Sequence, residues 1–306
     1  MIVSILSKLK KTSMLMFAVL LGAVLLVTGC QSKEVETSEE IAKLRIGLVP
    51  GEDAQQIIEK YDPLAKYLER VLDLEVELIV GTDYTETIEA MRTGKLDLGM
   101  YGPFSYILAA DTANAEAAIL ASYEDMGIYY ESYIITHPES GIDKISDLKG
   151  KTFAFVDPAS TAGYLIPRMY MEKEGINPDK DLASTTFLGG HDACALAVKK
   201  KQVDAASIVK HQLESAINAG LISEDDFKII HTSDRFPGGP MAWRKDLPED
   251  LKEKIRDAFI NMPEEDISVL RTAFPKLVKF EVANDSDFDI LRQSAKELNL
   301  DIKELI

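Results

Sequence analysis

Residues 155–168 read FVDPASTAGYLIPR. An apolar run ends at Val156, an Asp-Pro turn follows, and two adjacent hydroxyls, Ser160 and Thr161, precede small residues that open a helical pattern. Strand end, turn, helix start is the unit of an α/β fold. A helix start carries unpaired N–H groups, and one Ser or Thr is enough to cap it. A second hydroxyl, followed by Ala162 and Gly163 that let the backbone come close, leaves two readings open: a plain cap, or an anion site. Pro167 falls past the first turn of a helix begun at Ser160, and so predicts a kink.

The same unit recurs on both sides. Strands are read at 44–49, 75–80 and 96–102, with helices opening at Asp62-Pro63, at 85–93 and at Pro103. A longer strand is read at 128–136 and a boundary loop at 137–150. Strands at 151–157, 185–190, 203–209 and 227–233 then alternate with helices, and further helices follow at 246–260 and 286–298. Alternation of this kind predicts mostly parallel sheets flanked by helices. The expected fold is α/β and two-lobed. Residues 44–133 with 238–306 form the first lobe and 137–235 the second, with a hinge and a cleft between them.

The beginning of the chain reads as a leader. Lys8, Lys10 and Lys11 precede an apolar run of 14 residues, Met14 to Val27, which is short for a membrane span. LVTGC at 26–30 is a lipobox pattern, so residues 1–29 are expected to be removed and Cys30 to carry lipid. Residues 30–43 read as a polar tether. Loss of the leader removes three lysines and no acid, taking the formal charge from −17 to −20. Such acidity argues against nucleic-acid binding and against adsorption on anionic lipid. Cys194 is then the one remaining thiol, so no internal disulfide is expected; it reads as a small buried hydrophobe.

Three strand-to-helix junctions stand out: Tyr101-Gly102-Pro103, Asp157 to Thr161, and Gly189-Gly190-His191. Ligands of open α/β sheets bind at the carboxyl ends of strands, where helix N-termini offer N–H donors. Ser160, Thr161 and His191 add uncharged donors there. Tyr84, Tyr101 and Tyr130 sit at element ends, where a phenol reaches a cleft.

DPASTAGYLIPR, GGHDACALAVKKKQVDAA and PMAWRKDLP, with MYGP at 100–103 and GTDYTETIEAMRTGKLDLG at 81–99, resemble the phosphonate, phosphite and phosphate-type substrate-binding proteins of ABC importers. The likeness runs from about residue 44 to about 298. It implies a periplasmic-binding-protein-like fold that closes on its ligand. It also implies ligand-binding roles for Ser160, Thr161, His191, Tyr84 and Tyr130, with Tyr129 as the register alternative; Tyr101 is a weaker candidate. Aminoalkylphosphonate binders of this family place two acids against the ligand's ammonium. The matching positions here are His211 and Gly239. An ammonium buried without an acid is costly, which favours a ligand with a phosphorus oxyanion head and no amine.

The implied partners are that small ligand, a membrane permease, and the membrane itself through the anchor, with the protein extracytoplasmic and monomeric. A ligand-presenting sensor subunit is an alternative role. An exported enzyme is a weaker one, because HExxH, GxSxG and Cys/His clusters at metal spacing are absent from the sequence. No cofactor or metal is expected.

Overall fold

A computed structural model describes residues 41–300. The leader, Cys30 and most of the tether lie outside the described residues. Strands and helices alternate as β1 (Lys43–Leu48), α1 (Ala54–Leu72), β2 (Glu75–Val80), α2 (Tyr84–Arg92), β3 (Leu98–Met100) and α3 (Pro103–Thr112). β4 (Ala115–Tyr123), β5 (Tyr129–Tyr130), β6 (Ser132–Thr136) and β7 (Thr152–Phe155) follow. Then come a π-turn at Thr161–Leu165, α4 (Ile166–Lys173), α5 (Pro178–Asp181), β8 (Ser184–Phe187), α6 (His191–Lys199), β9 (Ala205–Val209) and α7 (Lys210–Asn218). The chain ends through β10 (Lys228–Thr232), β11 (Phe236–Pro237), β12 (Met241–Arg244), α8 (Glu249–Ile260), α9 (Glu264–Leu270), β13 (Leu277–Val282) and α10 (Asp289–Glu297).

Two main sheets result. The first has the order β13-β4-β12-β3-β1-β2, the second β10-β6-β9-β7-β8. In the first, β1 to β4 run one way and β12 and β13 the other. In the second only β6 is reversed. The reversed β6 and β12 are the first strands after each passage between sheets. The two passages pair with one another as the short ribbon β5–β11, Tyr130 opposite Phe236. The strand read at 128–136 is therefore two strands broken at Glu131. β6, from Ser132, belongs to the second sheet, although the sequence reading carried the first lobe to 133; its partners are β9 and β10.

The first-lobe core is built on Leu44, Ile46, Leu68, Trp243 and Ile255, each at most 2% exposed. Burial of one such aliphatic side chain contributes about 1.5–3 kcal/mol. α1 begins eight residues before the expected start at Asp62-Pro63. Asp53 caps it by accepting from the N–H groups of Gln55 and Gln56. Pro63 lies inside the helix, and the apolar face of Ile57, Leu64 and Leu68 holds the helix together across it.

The kink expected at Pro167 is a π-turn. Leu165 N–H donates to the Ser160 carbonyl at 3.1 Å, and Ile166 N–H donates to that of Thr161. This widened turn frees the carbonyls of Ala162 and Gly163, and buried hydroxyls collect them. Ser132 Oγ donates to Ala162 O at 2.7 Å, and Ser207 Oγ to Gly163 O at 2.8 Å. The ring of Pro167 thus meets no competing i−4 hydrogen bond.

Candidate functional site

Each of Ser160, Thr161, His191, Tyr84, Tyr130 and Tyr101 lines one cavity of about 180 Å³ between the sheets. Ser160 caps the π-turn, accepting from Gly163 N–H at 3.0 Å. The cap reading is therefore correct. It does not exhaust the hydroxyl, whose proton remains available as a donor. The Thr161 hydroxyl accepts from the backbone N–H of Phe104 at 2.7 Å. Phe104 sits in the first turn of α3, on the other side of the cleft, so this bond ties the two halves together. The oxygen of Thr161 accepts there, and its own proton is left to point elsewhere.

His191 opens α6 and is 4% exposed. Its backbone N–H crosses the cleft to the carbonyl of Gly51 at 2.8 Å. Its Nδ1 accepts from Val209 N–H at 3.2 Å. The acceptor role fixes the neutral tautomer: Nε2 carries the hydrogen and is a donor. Burial lowers the His191 pKa from the ordinary 6.5 to about 3. The ring therefore stays uncharged at neutral pH.

This has a consequence for stability. Between roughly pH 6.5 and 3 the unfolded chain binds a proton at His191 that the folded chain refuses. The stabilisation is complete above that window and is lost as pH falls through it, by up to about 1.4 kcal/mol per pH unit. Thermal melts of the parent from pH 7.5 to 5 should show Tm falling, and a His191→Gln variant should show a flatter profile.

Tyr84 is the first residue of α2 and is 4% exposed. Burial raises its pKa, the charge of Asp157 adds to this, and the neighbouring Ser160 hydroxyl offsets part of it. Three groups converge on Gly51. A Cβ placed there would lie 3.7 Å from Tyr84 Oη, 3.8 Å from Gln212 Nε2 and 3.8 Å from His191 Cδ2. Tyr130, not Tyr129, faces the cavity; Tyr129 is 44% exposed. The Tyr130 ring lies 4.7 Å from that of His211. Tyr101 lines the wall with its hydroxyl toward the Thr87 carbonyl at 3.5 Å, so it supplies surface rather than a free donor.

The reading of the sequence did not find Gln212, Tyr61, Tyr123 or the pair Lys60–Glu52, all of which line the cavity. Lys60 Nζ lies 3.0 Å from Glu52 Oε1, with the Glu52 side chain 7% exposed. Their approach depends on how α1 lies over the sheet, and no local motif announces it. His211 and Gly239 also line the cavity. A Cβ at Gly239 would meet the Tyr101 carbonyl oxygen at 1.9 Å, so no side chain fits without backbone movement. Gly239→Ala is expected to lose about 1–3 kcal/mol or more, measured by urea unfolding. Among the described residues no group of three His, Cys, Asp or Glu could hold a metal ion. Cys194 is buried, with its Sγ toward the Phe155 carbonyl at 3.5 Å.

A family model described as ABC transporter, phosphonate, periplasmic substrate-binding protein matches residues 46–288. The chain belongs to this family. It is 31% identical over 264 residues, 84% of this chain and 77% of the relative, to the phosphonates-binding periplasmic protein of Escherichia coli (strain K12). It is 29% identical over 243 residues, 76% of each chain, to the phosphate-import protein PhnD of Mycolicibacterium smegmatis. Its fold matches the crystal structure of a binding-protein component of an ABC phosphonate transporter from Pseudomonas aeruginosa. The TM-score is 0.78 at 28% identity, covering 83% of this chain and 86% of that one. Members of this family are extracytoplasmic substrate-binding components of ABC transporters with two-lobed folds, and the chain is a binding protein, not an enzyme. Among the described residues no helix is long and apolar enough to cross a membrane.

Proposed function

We propose that this chain is a lipid-anchored receptor that closes two lobes on a phosphorus oxyanion (phosphonate, phosphite or phosphate) and releases it to a membrane permease. One observation carries the reading: the adjacent Ser160 and Thr161 converge on a single cavity with His191, Tyr84 and Tyr130, each from a different element. Their hydroxyl and ring N–H groups act with the N–H groups of Thr161 and Ala162, which have no intrahelical acceptor at the start of a turn. These donors are neutral. They hold an anion at hydrogen-bond range in a chain whose processed charge is −20. Surface carboxylates beyond about 8 Å are screened at physiological salt. Lys60, the cation in the cavity wall, is neutralised by Glu52. The lobes meet at the β5–β11 ribbon, which serves as the hinge.

Titration calorimetry of the soluble chain against phosphate, phosphite, methylphosphonate and 2-aminoethylphosphonate tests the reading. Saturable one-to-one heat from at least one of the first three supports it, and heat from none of them sinks it. Replacing Cys30, which would carry the anchor, tests the membrane attachment. Cys30→Ser is expected to move the protein from the membrane fraction to the soluble fraction. A parent protein already soluble, or a variant still membrane-bound, contradicts the anchor.

A further inference from the structure

The cavity extends beyond the oxyanion donors. Ile119, Ala121 and Tyr123, alternate residues on one face of β4, line it, and so do Tyr61 and Leu64 of α1. The space therefore continues between a sheet face and a helix face, with Phe274 closing one side at 5.0 Å from Tyr61, ring to ring. Roughly 10–15 Å³ of such volume holds one water, so a cavity of about 180 Å³ exceeds what the few heavy atoms of methylphosphonate occupy. This extension offers carbon surface and phenol edges, and its charge is confined to the paired Lys60 and Glu52, with Lys60 Nζ 5.6 Å from the centre of the Phe274 ring. The one carboxylate in the lining is Glu52, and Lys60 holds it at 3.0 Å. Gly239 leaves no room for a side chain, and His211 adds an imidazole beside Tyr130 rather than a carboxylate.

We propose that the preferred ligand is a phosphonate with an uncharged, apolar carbon substituent larger than methyl, seated between α1 and β4 among Tyr61, Ala121, Tyr123 and Phe274. The inference rests on the phosphorus-oxyanion reading and narrows it to a substrate class. Apolar surface removed from water strengthens binding by roughly three- to fourfold per methylene buried. An ammonium in the same place loses its water and gains no free counter-charge. The small side chain of Ala121 leaves the space open; a larger one there fills it.

Calorimetric titration of the soluble chain with methyl-, propyl- and 2-aminoethylphosphonate decides the matter, because the last two are close in size and differ in charge. Propylphosphonate is expected to bind about tenfold more tightly than methylphosphonate and at least tenfold more tightly than 2-aminoethylphosphonate. In Ala121→Leu the gain of propyl over methyl should vanish. Methylphosphonate binding as tightly as propylphosphonate, or 2-aminoethylphosphonate binding best, overturns the inference while leaving the oxyanion reading intact. Binding of none of the three, with phosphate and phosphite also silent, overturns both. Should Ala121→Leu not fold by circular dichroism, the parent series alone decides.

Discussion

Replacing His191 by alanine is expected to weaken oxyanion binding on the order of 10- to 100-fold, with the protein still folded. The effect follows from the tautomer. Val209 N–H donates to Nδ1, so Nε2–H is the group free to donate, and it does so from a ring that is 4% exposed. A hydrogen bond from a neutral donor to an anion is worth about 1.5–3 kcal/mol. The same substitution leaves Val209 N–H without its acceptor, which adds a smaller loss of stability. His191→Gln separates the two effects: a side-chain amide oxygen can accept from Val209 while its NH₂ donates poorly placed hydrogens. Calorimetry and a thermal melt read each part. Unchanged affinity in both variants would show that the imidazole is not a ligand group.

The second large effect is expected at Thr161. Its hydroxyl receives Phe104 N–H across the cleft at 2.7 Å, which leaves its own proton to donate to the proposed ligand. Thr161→Val keeps the shape and removes both bonds. A buried N–H left unpaired costs about 1–3 kcal/mol, and the lost bond to the anion costs a similar amount. The first cost exists only when the lobes are together. Thr161→Val should therefore weaken binding on the order of 100-fold and reduce the population of closed molecules. Small-angle scattering should show ligand-driven compaction in the parent and in Thr161→Ser, and less of it in Thr161→Val. Equal compaction in all three contradicts a role for Thr161 in closure.

What could be read from the sequence was local chemistry. The hydroxyl pair, the strand before it and the glycine-rich lead into His191 each lie within a few residues, so caps and turns announce them. Packing decided the rest. AEAAILASY was not read as a strand, because alanine has no strand preference; β4 extends there because β12 and β13 flank it. Pro63 resembles a helix start, yet it lies inside α1, because Asp53 supplies the cap further back. Tyr61, Lys60 and Gln212 entered the cavity only once α1 and α7 took their places over it. Thr161 was legible as a donor, but its bond to Phe104 was not, since 57 residues separate the partners.

A crystal structure of the soluble chain with methylphosphonate tests the central claim most directly. The account predicts phosphonate oxygens within hydrogen-bond distance of Ser160 Oγ, Thr161 Oγ1 and His191 Nε2, with Lys60 still paired to Glu52. A phosphonate held instead by the ammonium of Lys60, or bound outside the space between the two sheets, contradicts it.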